Sequence, residues 1–256
     1  MSNKLVDGPV SPVQSVDRAL AILEYLAEHG QAGITEIARH LGVHKSTAFR
    51  LTASLEHRRM VEQLEDRGQY RLGFGVIRLA AATSSQLDLT RDGRPMCVRL
   101  AGDIGETVNI AIRDSAAAVN ITQEHGSTMV ATRNWVGKRT PLHATASGKV
   151  LLAWAEEDAL GELLRSGLEQ FTERTIVDEA RLREELAEVR SRGWARSGEE
   201  LELGLNSVAA PIFGSDGAVT AAVSVSGPSY RLTPADFADA AVKLRSEAAD
   251  LSLPAA

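Results

Sequence analysis

Residues 34–55 constrain the fold of this chain more than any other stretch, because they encode two short amphipathic helices separated by a break at Gly42. The apolar stripe of the first helix consists of Ile34, Ile37, Ala38 and Leu41. The inward stripe of the second helix consists of Ala48, Leu51, Thr52 and Leu55. We expect Thr35 to cap the first helix and Gly42 to end it. Two amphipathic helices joined by so tight a turn predict a helix-turn-helix motif.

The outward face of the second helix is small, basic and rich in hydroxyl groups; it consists of Lys45, Ser46, Phe49, Arg50 and Ala53. Lysine and arginine bind phosphates, hydroxyl groups reach base edges, and alanine lets a helix lie deep in the major groove. We therefore predict a DNA-binding surface made of His44, Lys45, Ser46, Thr47, Phe49, Arg50 and, further along, Arg67. The alternative is a plain helical hairpin in a protein core, which leaves the basic outer face unexplained.

The chain carries a formal net charge of −6, but this charge is unevenly distributed. Residues 1–90 carry 10 Lys and Arg against 10 Asp and Glu, whereas the remainder carries 18 against 24. Residues 44–59 hold four basic residues and one acidic residue. A small basic patch on an acidic protein steers DNA locally without indiscriminate affinity, so the charge permits DNA binding without proving it.

The 256 residues suffice for two domains, each with its own core. Cys97 is the single cysteine, so no internal disulfide can form and an oxidising compartment is not implied. No apolar run is long enough to cross a membrane, and residues 1–12 lack the layout of a signal peptide. We expect a cytoplasmic protein with no membrane partner.

Three further segments complete the predicted N-terminal part. Residues 1–12 lack periodicity and are expected to form a loose arm. Residues 13–28 predict a helix whose inward stripe is Val13, Val16, Leu20, Leu23 and Ala27, widened by Ala19, Ile22 and Leu26. Residues 60–64 and 69–72 predict two strands joined by a turn, as in the wing of a winged helix-turn-helix. Arg67 in that turn either reaches DNA or is a solvated turn residue.

A broad apolar arc over residues 74–86 predicts a connector helix that packs against a partner, such as the same helix of a second subunit. We expect a joint at residues 88–94, which are polar and contain Gly93, and then a helix that begins at Pro95. The predicted limits are 1–12 for the arm, 13–73 for the winged helix-turn-helix, 74–92 for the connector helix and 93–256 for a C-terminal domain.

In the C-terminal part the apolar period changes to two, which predicts strands at 107–113, 117–123, 128–135, 207–213 and 218–227. Residues 141–147 are expected to form an irregular loop. Helices are predicted around it, including one that Asp178 caps and a last one that opens at Thr233. The fold class is therefore α+β, with a mixed sheet and helices packed against it.

Several motifs stand in a fixed order along nearly the whole chain. They include Ser15-Val16-Asp17-Arg18-Ala19-Leu20, Leu41-Gly42-Val43, Pro141-Leu142-His143-Ala144, Gly204-Leu205-Asn206-Ser207 and Ser224-Val225-Ser226-Gly227-Pro228. Each motif alone is weak, but the series is specific, and it resembles the IclR family of bacterial transcriptional regulators.

This resemblance implies a winged helix-turn-helix, a connector helix and a GAF-like mixed α/β effector-binding domain. It implies a homodimer or a dimer of dimers on a palindromic operator of double-stranded DNA, controlled by a small-molecule effector such as an organic acid or an aromatic metabolite. Carried over by position, the effector-binding residues are Ala146, Ser147, Ser197, Leu205, Ser207, Ser224 and Ser226. Some members carry an acid or a cysteine in place of Ser197 and Ser207, so the resemblance does not extend to a small, strongly polar ligand of the glyoxylate kind and leaves the ligand class open.

Ser224 and Ser226 support a pocket independently of the resemblance. They are two apart in a predicted strand, so both hydroxyl groups point to the same side of it. A strand otherwise built of alanine and valine has no packing reason for two serines, and buried hydroxyl groups need partners. The alternative is that two small residues allow a covering helix to pack closely.

An enzyme is the competing class, and its motifs are missing from the sequence. The G-x-S-x-G motif of hydrolases is absent, and Ser147-Gly148-Lys149 matches only the end of a phosphate-binding loop. His40 and His44 are separated by a helix break and lack an acidic companion motif. We expect no catalytic residue, metal or cofactor, a bracing role for His143 and a core position for Cys97. A sensing or hydrolytic domain fused to a protein-binding helical module remains the alternative.

Overall fold

The computed structural model describes residues 13–64, 68–81, 84–127 and 134–251. The chain divides into two units, and the division falls between Leu87 and Asp88. The predicted arm, Arg67 and most of the strand predicted at 128–135 lie outside the described residues. The domain limits derived from the sequence stay a prediction.

The described part of the first unit consists of α1 (Gln14–His29), β1 (Gln31–Gly33), α2 (Ile34–His40), α3 (Lys45–His57), β2 (Val61–Gln63), β3 (Gln69–Leu72) and α4 (Phe74–Ala81). β3 pairs antiparallel with β1 on one side and with β2 on the other. The predicted hairpin after the second helix is therefore confirmed. The sequence did not predict β1, because three residues are too few to show a period of two.

The predicted break between the two helices is confirmed, and Gly42 has a φ of 63°, a left-handed conformation that glycine adopts without strain. The predicted cap is wrong. Gly33 precedes α2, and its backbone N–H donates to the Glu36 carboxylate at 2.8 Å, while Thr35 already lies inside the helix. Below the turn a core forms from Ile22, Leu26, Ala32, Ile37, Ala38, Ala48, Val61 and Tyr70.

α1 turns a different face inward from the one that the sequence predicts. Val13, Val16 and Leu20 are 51%, 53% and 54% exposed, whereas Ile22 and Leu26 are fully buried. The apolar arc of α1 is thus wider than the surface that its own unit covers. Periodicity identified the helix but could not show which part of a wide arc faces the core.

α5 (Ser84–Ile104) runs without interruption through residues 88–94 and contains Pro95 in its interior. The predicted break in helical structure at residues 88–94 and the predicted helix start at Pro95 are therefore wrong, although the division between the two units falls directly before this stretch. Gly93 serves close packing instead, since a Cβ at this position would lie 2.4 Å from Cδ1 of Ile110. A polar stretch with a glycine indicated a break, whereas tertiary packing required a small residue within a helix.

The second unit is built on a six-stranded sheet in the order β6-β5-β4-β9-β8-β7. The strands are β4 (Thr107–Asp114), β5 (Ala117–Glu124), β6 (Arg139–Pro141), β7 (Ala195–Gly198), β8 (Leu205–Phe213) and β9 (Val219–Pro228). Every pairing between these strands is antiparallel, so the predicted mixed sheet differs from the observed one. β6 ends at Pro141, the first residue of the predicted irregular loop.

Helices cover both faces of this sheet: α5 and α9 (Phe237–Asp250) on one, and α6 (Ala146–Ala153), α7 (Glu157–Ser166) and α8 (Glu179–Arg192) on the other. β9 alternates accordingly, with Val223 and Val225 in the core under α5 and α9, and Ala222 in the core under α6 to α8. The predicted cap of α8 is confirmed, because the Asp178 carboxylate accepts a hydrogen bond from the Arg181 N–H at 2.9 Å. The α+β class is confirmed.

Candidate DNA-binding surface and effector cavity

α3 exposes most of the predicted DNA-binding side chains on one face. His44, Lys45, Ser46, Phe49 and Arg50 are exposed, Thr47 is half-buried, and Ala48 and Thr52 anchor the opposite face in the core. Phe49 is 55% exposed and lies on the same face as Lys45 and Arg50. The arrangement leaves a helix whose cations, hydroxyl groups and one aromatic ring all point away from their own unit.

The charges at the start of α3 are uncompensated. In the described part of the chain, neither Lys45 nor Arg50 forms an ion pair. The first turn of α3 contains no acidic residue, and His44 makes no side-chain capping bond. Since the N-terminus of a helix carries a partial positive charge, this end of α3 attracts phosphate groups.

In the second unit, the predicted serines come together through the register of the sheet. Ser197 on β7 pairs with Ser207 on β8, and Ser207 pairs with Ser226 on β9. Ser226 in turn pairs with Thr107 on β4. Two residues further along the same two strands, Ser224 pairs with Asn109. Cross-strand pairing therefore turns residues that are far apart in sequence into one polar surface.

This polar surface is the floor of a cavity that also includes the start of α6. Of the predicted effector-binding residues, Ser147, Ser197, Leu205, Ser207, Ser224 and Ser226 line it. Ala146 does not line it, because its side chain is fully buried in the core beneath α6, and its predicted role in effector binding stays a prediction. The first residue of a helix can point back into the protein even when its neighbour faces the site.

Sequence reasoning missed the remaining lining residues, which are Asn109, Asn120, Trp135, Thr140, Ala144, Thr145 and Leu201. Asn109 is the most informative, because it is only 4% exposed and its Oδ1 has no hydrogen-bond partner among the described residues. An asparagine in the middle of an otherwise apolar strand was the available signal. Buried polar atoms without partners are rare and are expected at ligand sites.

Most of the lining side chains are polar, and the rest are apolar. No acidic or basic side chain lines the cavity in the part of the chain that the structure describes. Thr145 caps α6: its Oγ1 donates to the Pro141 carbonyl at 2.9 Å and accepts from the Gly148 N–H at 3.1 Å. The cavity volume is about 50 Å³. One water needs about 10–15 Å³, so the space is that of about four waters.

Other candidate residues have structural roles. His143 is buried and lies 2.9 Å through Nε2 from the Glu169 carbonyl, which confirms its bracing position beside the cavity. Cys97 is fully buried in the core on the opposite face of the sheet, and burial raises the pKa of its thiol to about 12.

Among the described residues, no group of His, Cys, Asp or Glu is placed to hold a metal ion. None of the described helices has both the length and the apolarity of a membrane span.

A winged helix-turn-helix with free cations on its second helix, together with a unit that encloses a small polar cavity, defines the class of ligand-responsive DNA-binding regulators. Two family descriptions match the chain: the IclR helix-turn-helix domain over residues 15–65 and the bacterial transcriptional regulator IclR C-terminal domain over residues 81–253. The chain therefore belongs to the IclR family of bacterial transcriptional regulators, and the resemblance found in the sequence is confirmed.

Relatives and solved structures agree with this assignment. The HTH-type transcriptional repressor AllR of Escherichia coli K12 is 38% identical over 241 residues, which cover 93% of this chain and 89% of AllR. The crystal structure of an IclR homologue from Microbacterium hydrocarbonoxydans, complexed with 4-hydroxybenzoate, has a TM-score of 0.82 at 25% identity and covers 94% of this chain and 98% of its own. The Thermotoga maritima IclR has a TM-score of 0.75 at 28% identity, with 93% and 96% covered.

Proposed function

We propose that this protein is a transcriptional repressor that releases its operator, or binds it more tightly, when a small organic acid occupies the cavity of the second unit. The observation that carries the proposal is the exposed face of α3, where Lys45 and Arg50 have no ion-pair partner in the described part of the chain. The similarity to AllR, which is a transcriptional repressor, supports the assignment as a repressor. The site of action is the bacterial cytoplasm, where the operator is found.

At the DNA, Lys45 and Arg50 bind phosphates together with the N-terminus of α3, and Ser46 and Thr47 bind backbone or base edges. Phe49 is exposed on the same face and suits apolar contact with a thymine methyl group. His44 borders this surface. Arg67, which lies outside the described residues, stays a predicted DNA contact. Phosphate contacts position the helix, whereas the contacts of Ser46 and Phe49 supply sequence preference.

The effector is proposed to be a small organic acid. A carboxylate suits the partial positive charge at the start of α6 and can accept hydrogen bonds from the hydroxyl groups of Ser147 and Ser224. The unpartnered Oδ1 of Asn109 is an acceptor, so it suits a hydroxyl group of the same ligand. An aromatic acid is the second candidate, because a structural neighbour is complexed with 4-hydroxybenzoate. The volume of about 50 Å³ favours the smaller molecule.

We infer that two copies of the chain associate through apolar faces that are exposed on the first unit. Phe74, Ile77 and Leu79 of α4 are 66%, 62% and 56% exposed, and Val16 and Leu20 of α1 are exposed as well. A second copy of the chain would bury such faces and place two recognition helices on a palindromic operator. Ligand-dependent change in the spacing of these helices then alters operator affinity. A dimer of dimers would need a second contact in addition to this one.

A mobility-shift assay with the DNA upstream of the gene itself tests the proposal against its alternatives. We expect binding in the nanomolar range that weakens steeply as salt is raised, because phosphate contacts release counterions. A protein-binding module or an enzyme would give no retarded band, or one that random DNA competes away equally well. A thermal-shift screen of organic and aromatic acids then identifies the ligand by the rise in Tm that binding produces.

A further inference from the structure

Lys149 is a buried cation beside the effector cavity that the proposed function does not use. It lies two residues after Ser147 on α6 and is only 1% exposed. Its Nζ donates to Oε1 of Glu200 at 2.7 Å and to the Arg196 carbonyl at 3.1 Å, and it lies 3.6 Å from Oε1 of Glu185. A buried ammonium group is tolerated only when it is paired and hydrogen-bonded, as it is here.

The partner of Lys149 belongs to the loop of residues 199–204, which joins β7 to β8. Thr172 Oγ1 donates to the Glu199 carbonyl at 2.7 Å, and Thr175 Oγ1 donates to the Glu200 carbonyl at 2.6 Å. The Glu199 carboxylate accepts from the Gly204 N–H at 2.8 Å and contacts Arg174. Glu199 itself has a φ of 58°, a left-handed conformation that a glutamate adopts only when its surroundings hold it.

This loop also contributes to the cavity. Leu201 lines it, and Ser197 and Leu205 on the two flanking strands line it as well. The next residue but one, Leu203, is 68% exposed, so only part of the loop is held by packing. The hydrogen bonds and ion pairs of Glu199 and Glu200 therefore hold this loop in place, as apolar packing does elsewhere in this unit.

The ion pair between Lys149 and Glu200 compensates for the burial of the Glu200 carboxylate. Burial raises the pKa of the Glu200 carboxyl, and the neighbouring Lys149 opposes that shift. Oε2 of Glu200 has no hydrogen-bond partner among the described residues, so Lys149 supplies the main compensation for burying this carboxylate. Loss of the ammonium group would leave a buried charge that is best relieved by moving Glu200, and the loop with it, towards water.

We propose that Lys149 is the positioning residue of the effector site: it ties Glu200 to α6, holds the 199–204 loop so that Leu201 covers the cavity, and thereby sets how readily a molecule enters or leaves. The inference rests on the proposed function only in naming the cavity as the effector site. Because Ser147 and Lys149 are on the same helix, a ligand that moves the start of α6 also acts on the loop.

A cysteine reporter in the cavity tests this without knowledge of the effector. Ser224→Cys places a thiol in the cavity floor, and methyl methanethiosulfonate reacts with its thiolate to form a mixed disulfide and methanesulfinate. The native Cys97 serves as an internal reference, because it is buried in the core on the other face of the sheet. Mass spectrometry of the two cysteine-containing peptides gives both rates in one sample, and a pH profile corrects each for its thiolate fraction.

In the Ser224→Cys background, Lys149→Met should speed modification of the cavity thiol about tenfold or more, which corresponds to about 1.4 kcal/mol less stabilisation of the closed loop. The rate at Cys97 should stay unchanged. The matched control is Arg183→Met, which removes a cation that also pairs with two glutamates, Glu157 and Glu179, but on the exposed surface. It should change neither rate.

The double variant Lys149→Met with Glu200→Gln guards against a folding defect, because it leaves no unpaired buried charge at this position. It should keep the melting temperature of the reference protein and still show the fast cavity thiol. The proposal is overturned if both cysteines speed up by the same factor, since that is global loosening, or if the cavity thiol stays slow in both variants. Neither result depends on DNA binding, so failure of the operator assay leaves this test intact.

Discussion

The two candidate sites are built in opposite ways. The DNA-binding surface consists of exposed side chains on one short helix, and Lys45 and Arg50 contribute nothing to the core beneath them. The effector cavity consists of buried side chains from several strands and one helix, and Ser197, Ser224 and Asn109 are each less than 5% exposed. A substitution on the exposed DNA-binding surface can therefore change function without changing stability, whereas a substitution in the buried cavity affects both.

The largest effect is expected at Gly148, a buried residue of α6 that directly follows the cavity-lining Ser147. A Cβ at Gly148 would lie 2.6 Å from the Cα and the carbonyl oxygen of Leu142. Gly148→Ala should therefore lower the stability of the second unit by about 3 kcal/mol, the upper end of the usual range for overpacking. Urea unfolding followed by tryptophan fluorescence measures this unit alone, because all three tryptophans lie after residue 88.

Gly102→Ala is the matched control, since Gly102 is also helical and a Cβ there meets nothing within 4 Å. It should be neutral or stabilise the unit by up to about 1 kcal/mol. Equal midpoints for the two variants would show that the start of α6 is not closely packed.

On the DNA-binding surface, Arg50→Ala should weaken operator binding about tenfold, because it removes a charge-assisted hydrogen bond to phosphate. The melting temperature should not change, since the side chain is exposed and unpaired in the described part of the chain. Fluorescence anisotropy with the upstream DNA measures the affinity. Arg165→Ala on α7 is the exposed control in the other unit, and full operator affinity in both variants would remove Arg50 from the surface.

Ser224→Val probes the cavity with a smaller expected change. Removing one buried hydrogen-bonding group should cost about 1 kcal/mol of ligand affinity, or about fivefold, while operator affinity without ligand stays near that of the wild type. Titration of the operator complex with the acid found in the thermal-shift screen gives the response. An unaltered response would place the ligand elsewhere.

The smallest effect is expected from Glu199, whose pKa is held below its ordinary value, first by the Gly204 N–H and then by Ser229 and Arg174. A lowered carboxyl pKa contributes stability that is present above the ordinary value and is lost as the pH falls through the folded-state value. Between about pH 6 and about pH 3, the wild type should thus lose more stability than Glu199→Gln. Glu202→Gln, an exposed change in the same loop, should follow the wild-type profile; identical profiles for all three proteins would contradict the account.

The sequence predicted the DNA-binding surface more completely than the cavity. The reason is that the surface is formed by residues close together in the sequence, whereas the cavity is formed by residues far apart. The faces of α3 follow from the helical period within 13 residues, and the described part of that surface lies where periodicity puts it. Ser224 and Ser226 were likewise predicted from a local alternation. Asn109, Thr140 and Leu201 enter the cavity only through strand pairing and loop closure, which no local pattern encodes.

Errors in the fold have the same origin. The exposed stripe of α1 and the uninterrupted α5 both depend on what packs against them. From sequence alone Gly93 indicates a helix break, whereas in the structure it allows Ile110 to pack closely against α5. Thr35 was predicted to cap α2 because its residue type is suitable, yet the N-cap is Gly33, two residues earlier, and its N–H donates to the Glu36 carboxylate. Residue type identifies candidates, and the tertiary neighbours decide among them.

The central claim is that exposed, unpaired cations on α3 bind DNA phosphates. The salt dependence of operator binding measures this most directly, with the logarithm of the association constant plotted against the logarithm of the salt concentration. Lys45→Ala and Arg50→Ala should each reduce the magnitude of the slope by about one relative to the wild type. A slope that both substitutions leave unchanged would contradict the assignment of this helix face to DNA.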